Sequence, residues 1–289
     1  KKADPPKTAF FLCKQWTLYS VTPLYGFSGA RLKDYARLLS VAIAAEKQKG
    51  VAVEMDAELD TNIKVDVSSL PDLKGRNQDH AAILVQLFSR SPTSRRNSEN
   101  KPLWSGWFCS VSGDDLPKSV PKEFTLLPLF LTNGAECYTS LVGSWFQKTF
   151  DCCFCRLALS PLNLSWMAVI WTGHAVDRTA SAMELVFSVP SLPQPLNISY
   201  AIHPEDAKAL WDSVHKTPGG ITQEEVDVFM DCLYSHFHRH FKIHLSATKL
   251  VKVSTAIASA HCSGTIKFLH SEHLTRVLML LTELARSQI

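Results

Sequence analysis

The chain lacks most of what would mark an enzyme or a membrane protein. Its 289 residues hold no apolar run near the roughly 20 needed to cross a bilayer, and the closest, around residues 164–171, is far shorter. There is no glycine-rich phosphate loop, no GxSxG turn, no HExxH helix and no carboxylate pair set in a motif, which leaves catalysis without a candidate. No internal repeat is present. Charge of one sign is also missing overall: 30 Lys and Arg against 27 Asp and Glu leave a net +3, which argues against a histone-like binder and for one basic face. The most informative absence is local. Residues 232–271 contain no Asp or Glu, yet carry Arg239, Lys242, Lys249, Lys252, Lys267 and six histidines.

The chain opens Lys1-Lys2-Ala3 without a methionine, which predicts a fragment whose leading tail is missing. Eight cysteines are scattered or crowded at Cys152, Cys153 and Cys155, and a chain this long does not need disulfides to hold a core. Reduced thiols in an intracellular protein are the expectation. The sequons at Asn163-Leu164-Ser165 and Asn197-Ile198-Ser199 read as chance triplets in such a chain.

Strands are predicted over residues 10–21, 81–90, 102–112, 124–132, 152–159 and 183–189, with a hairpin of 51–56 and 62–67. A helix is predicted from Ser28 to Gly50, where Leu32, Tyr35, Ala36, Leu39, Ala42 and Ile43 recur at helical spacing. A second helix covers 134–150, while the apolar segment 166–171 fits no element. Three prolines within 190–196 mark a boundary. Beyond it, His203-Pro204 starts a helix, Thr222 and Glu225 form a capping box for the next one, and a last helix covers 271–286. Between the last two, residues 248–261 and 265–270 read as two strands joined at Cys262-Ser263-Gly264. The class is α+β: mainly antiparallel, curved sheets with flanking helices in a two-part architecture. The parts are an N-terminal α+β domain over 1–196 and a C-terminal helix–helix–hairpin–helix, partner-binding domain over 197–289.

Three features bear on chemistry. His236 and His240 lie one turn apart but lack a third ligand, and Cys152 and Cys155 form a single CxxC; both sets read as structural, with no metal and no cofactor expected. The basic hairpin reads either as a solvated strand face or as a phosphate-contacting one. On an ideal strand Lys249 shares a face with Val251 and Val253, and Lys252 points the other way, unless the strand twists or bulges. The last helix is apolar at Leu274, Val277, Leu278, Leu281 and Ala285 and again at Met279, Leu280 and Leu284, so it is either deeply buried or covered by a partner. The hairpin edge beside it could receive a strand from another chain.

Longer runs carry a resemblance. The segments HPEDAKALWDSVHKTP at 203–218, TQEEVD at 222–227 and YSHFHRHFKIHLSAT at 234–248, with KQWTLYS at 14–20, AEKQKG at 45–50 and WFQKTFD at 145–151, closely resemble the vertebrate centromere protein L family across nearly the whole chain. The resemblance implies a non-enzymatic scaffold subunit of the inner kinetochore, placed at the centromere of the chromosome in the nucleus. It implies pairing with centromere protein N, contact with centromere protein C and other inner-kinetochore subunits, and a basic passage for centromeric, nucleosomal DNA without reading of sequence. The family's basic positions fall on Lys101, Lys249, Lys252 and Lys267, and Thr265 stands where a further lysine is expected. Ile266, Phe268, Leu278, Met279 and Leu281 are the expected partner-binding residues. No membrane and no small-molecule substrate are implied. The other reading is a pure protein–protein interaction module with no direct DNA contact.

Overall fold

The computed structural model describes residues 7–48, 63–70, 73, 81–89, 102–111, 121–173, 181–189, 196–216 and 219–289. The class is α+β, antiparallel sheet with flanking helices, as the sequence predicts. The chain forms two compact units, residues 16–157 with 275–289, and residues 1–15 with 158–274. The proline-rich boundary expected at 190–196 lies, but for Leu196, outside the described residues.

The first of these units contains β1 (Gln15–Val21), β2 (Leu24–Tyr25), α1 (Leu32–Gln48), β3 (Ile63–Leu70), β4 (Ala82–Ser89), β5 (Trp104–Cys109), β6 (Phe124–Thr125), β7 (Leu129–Gly134), α2 (Glu136–Phe150) and β8 (Phe154–Arg156). Strands run in the order β1-β7-β5-β4-β3, β8 also pairs with β1, and β2 pairs with β6. All six residues of β5 are buried. On one side Phe108 meets Phe130 at 4.3 Å and Phe146 of α2 at 4.8 Å; on the other Trp107 meets Trp16 at 5.9 Å. Tyr35, Leu39 and Ile43 of α1 join the first cluster, as their spacing predicts.

Several expected strands are shorter; of 152–159 only Phe154–Arg156, β8, is strand. Residues 7–11 form a 3-10 turn and Cys13 takes φ +59°, so β1 starts at Gln15 and not at Phe10. The run 124–132 divides into β6 and β7. The expected partner of residues 62–67, the segment 51–56, lies outside the described residues, and β3 pairs with β4.

The second unit holds α3 (Pro161–Gly173), β9 (Met183–Val189), β10 (Leu196–Ile202), α4 (Pro204–Val214), α5 (Gln223–Phe241), β11 (Lys249–Ser254), β12 (Ala258–His261) and β13 (Thr265–Phe268), with strand order β10-β9-β11-β12-β13. The apolar segment left unassigned by sequence is α3, buried at Leu164, Met167, Ala168, Val169 and Trp171. A helix apolar on every side shows no amphipathic period, which is why spacing alone does not reveal it. It packs on β11, and α4 and α5 pack on it; Trp211 of α4 meets Phe229 of α5 at 5.9 Å. The capping box forms as predicted: Thr222 Oγ1 accepts from Glu225 N at 3.3 Å, and Glu225 Oε2 accepts from Thr222 N at 3.0 Å.

The expected long strand 248–261 is two strands. The Ile257 amide donates to Thr255 Oγ1 at 3.2 Å and the Thr255 amide to Ala258 O at 3.0 Å, a tight turn that folds β12 back along β11. The second expected turn, at Cys262-Ser263-Gly264, is present, with Gly264 at φ +77°. The chain closes with α6 (Leu274–Arg286), which from Thr275 onward belongs to the first unit. There Thr282 Oγ1 accepts from Val111 N at 3.4 Å.

Candidate nucleic-acid interface

One face of β9, β11, β12 and β13 is built for cations by a single irregularity. Leu250 pairs with Phe187 and Val253 with Leu185, both on the buried face, although they are three residues apart. The ladder slips between Leu250 and Lys252, so Val251 is an extra residue with no opposite number on β9. Such a bulge restores the inward alternation after one residue out of step. Lys249, opposite Ser188, and Lys252, opposite Val186, therefore lie on the same outward face. Strict alternation would place them on opposite faces; the bulge is the exception left open by the sequence, and it brings them together.

The ladders extend this face across the sheet. Lys252 stands opposite His261, His261 opposite Thr265, and Ser259 opposite Lys267. Three of the four lysines singled out by sequence thus share one surface; Lys101 lies outside the described residues. Lys249 and Lys267 are exposed and, among the described residues, make no ion pair. Lys252 differs, because its Nζ lies 2.8 Å from Glu184 Oε2 on β9. The stretch 232–271 is acid-free in sequence, yet a carboxylate 68 residues earlier reaches into it.

Over β11, β12 and β13 the face sinks into a recess of about 370 Å³, lined among others by Lys252, Ser259, His261, Thr265 and Lys267. His261 is oriented there by its own turn: Nδ1 accepts from Ser263 N at 3.1 Å and lies 2.7 Å from Ser263 Oγ. An amide N–H can be accepted only by an unprotonated ring nitrogen, so the neutral ring carries its proton on Nε2. His261 and Glu184 are the members of this surface that sequence reasoning missed. His261 alternates with Ser259 along β12, a signal visible once the strand is placed; nothing in the sequence links Glu184 to Lys252.

The other candidates resolve into packing. Ile266 and Phe268 of β13 and Leu278 and Leu281 of α6 are buried at 0–1% exposure, so four of the five expected partner-binding side chains are core residues, and Met279 is half-buried. His236 Nδ1 lies 2.7 Å from Tyr200 Oη, and His238 stacks on His244 with centroids 3.9 Å apart. Cys152 is buried and its thiol is pushed up to about 12 by that burial, whereas Cys155 is exposed on β8. Such a pair offers no common site.

The sequence model of Centromere protein L matches residues 10–286. Over 289 residues the chain is 73% identical to Centromere protein L of Gallus gallus, covering 100% of this chain and 83% of that protein. Identity to Centromere protein L of Homo sapiens is 61% over 286 residues, with 99% and 83% covered. To that of Danio rerio it is 42% over 288 residues, with 98% and 78% covered.

Proposed function

The chain belongs to the Centromere protein L family, and from that premise we propose that it is a non-enzymatic scaffold subunit of the inner kinetochore, acting at the centromere in the nucleus. In this reading it pairs with centromere protein N, meets centromere protein C and neighbouring subunits, and turns its basic sheet face to centromeric DNA. The observation that carries the DNA reading is the shared outward face of Lys249, Lys252 and Lys267. Cations spread over a sheet meet phosphates and not base edges, so binding is independent of sequence and steeply salt-dependent.

The test is the assembled pair carrying K249A, K252A and K267A together. Each lost phosphate contact lowers the log–log salt slope by about 0.9, so the expected reduction is roughly 2 to 3, the lower value if Glu184 already holds Lys252. An unchanged affinity and slope would reject the DNA reading. Two observations favour the alternative, a protein–protein module without DNA contact: the Lys252–Glu184 pair, which offsets one of the three charges, and the half-buried Met279, Leu280 and Leu284 on α6. In that case the triple variant binds centromere protein N and DNA as the unaltered pair does.

A further inference from the structure

We propose that the recess over β11, β12 and β13 is a seat for one backbone phosphate of DNA, in which His261 and Ser259 are ligands beside Lys252 and Lys267, and Glu184 is a built-in competitor for Lys252. The proposal rests on the DNA reading above, which involves lysines alone, and assigns to that face a defined contact point and an internal regulator of its affinity.

The geometry supplies what a phosphate needs. Directly opposed residues on neighbouring antiparallel strands hold their Cβ atoms about 4.5–5.5 Å apart. Lys252 with His261, and Ser259 with Lys267, are two such pairs, set side by side on three strands. They contribute two ammonium groups, a hydroxyl and an imidazole N–H to one recess of about 370 Å³, room for a phosphate with bridging water. His261 is suited to the task because the Ser263 amide occupies Nδ1 and leaves the Nε2 proton for a ligand. Thr265, opposite His261, adds a second hydroxyl.

Glu184 is not among the residues lining the recess, but it holds Lys252 Nζ at 2.8 Å from the neighbouring strand. A phosphate entering the recess must share or take Lys252 from it. Glu184 therefore sets an upper limit on the affinity of any anion that draws on Lys252. The DNA reading makes that anion a backbone phosphate.

The experiment measures binding of the full chain to a random-sequence DNA duplex across a salt series, for the unaltered protein, Glu184→Gln, His261→Ala and the variant carrying K249A, K252A and K267A. Glu184→Gln is expected to tighten binding several-fold and steepen the salt slope by about one; a gain of this kind cannot come from misfolding. His261→Ala is expected to weaken binding roughly tenfold with all lysines in place. If neither variant changes affinity while the triple-lysine variant does, the seat is overturned and the DNA reading stands. If the triple-lysine variant binds DNA as well as the unaltered chain, the DNA reading falls. The seat is then judged by titrating inorganic phosphate and following the His261 ring by NMR, where no shift overturns it. Polyglutamate bound as tightly as DNA would also overturn the phosphate assignment.

Discussion

Lys249 and Lys252, three residues apart on β11, project from the same face of the sheet because Val251 between them has no partner on β9. In a regular strand one of the two would be driven toward the buried side, where a lone ammonium is costly. The bulge keeps Leu250 and Val253 in the core and turns both lysines to the outward face. Its extra carbonyl is not wasted, since Val251 O accepts from Cys262 N at 2.8 Å, tying the bulge to the turn that positions His261.

Glu225 should matter more to stability than an ordinary helix-cap residue. It is 8% exposed and accepts from the backbone amides of Thr222 and Lys216, each at 3.0 Å. Removing it leaves both donors unpaired, so Glu225→Ala is expected to cost about 2–4 kcal/mol. Thr222→Ala, which loses only the reciprocal bond, is expected to cost about 1 kcal/mol. Urea midpoints of the two variants at constant m-value check the order; equal losses would show that the buried carboxylate plays no part beyond the cap.

Two glycines should respond in opposite directions to alanine. A Cβ at Gly106, in the middle of β5, would overlap the Trp104 ring and lie 2.7 Å from Phe130 Cζ, inside a packed aromatic cluster. Gly106→Ala is expected to destabilise by about 3 kcal/mol or more. A Cβ at Gly143 on α2 meets nothing within 4 Å, so Gly143→Ala should stabilise by up to about 1 kcal/mol. Thermal melts of both variants decide.

On α6 a fully buried residue and a half-buried one stand one position apart. Leu278 is fully buried, and Leu278→Asp places a carboxylate in the core; little soluble, folded chain is expected. Met279 is half-buried, and Met279→Asp is expected to leave the melting temperature within a few degrees while reducing co-purification with centromere protein N, if α6 meets that partner. Unimpaired pairing by a folded Met279→Asp chain would move the interface away from α6.

Alkaline pH should loosen the first unit through Tyr19. Its hydroxyl donates to Glu136 Oε1 at 3.0 Å, and burial together with that carboxylate pushes its pKa up from 10.0 to about 12. The unfolded chain gives up this proton first. The stability carried by neutral Tyr19 is therefore whole below about pH 10 and is lost as pH rises toward 12. Buried Cys152, raised from 9.0 to about 12, adds to the same fall from a lower starting pH. Tyr19→Phe, compared with the unaltered chain by urea titration at pH 8 and pH 11, should show a shallower decline. A decline equal to that of the unaltered chain would remove Tyr19 from the account.

By itself the sequence determined the features that depend on neighbours along the chain. The start of α4 at Pro204, the Thr222–Glu225 box, the buried stripe of α1 at Tyr35, Leu39 and Ile43, and the turn at Gly264 are all local, and each was legible as residue spacing. So was the acid-free, basic character of residues 232–271. Tertiary structure decided the rest. The turn at Thr255 contains neither glycine nor proline and depends on a side-chain hydroxyl closing onto the Ile257 amide. The helix α3 hides its period because apolar groups surround it. The bulge at Val251 exists only against β9, and Glu184 meets Lys252 only once β9 and β11 are paired. Which side chains are inside is likewise a property of the packed fold: the sequence leaves Leu278 and Leu281 either buried or covered by a partner, and the fold buries them, as it does Ile266 and Phe268. Spacing along a chain reports on contacts a few residues away, whereas a shared face, a counter-charge and burial belong to strands brought together from distant positions.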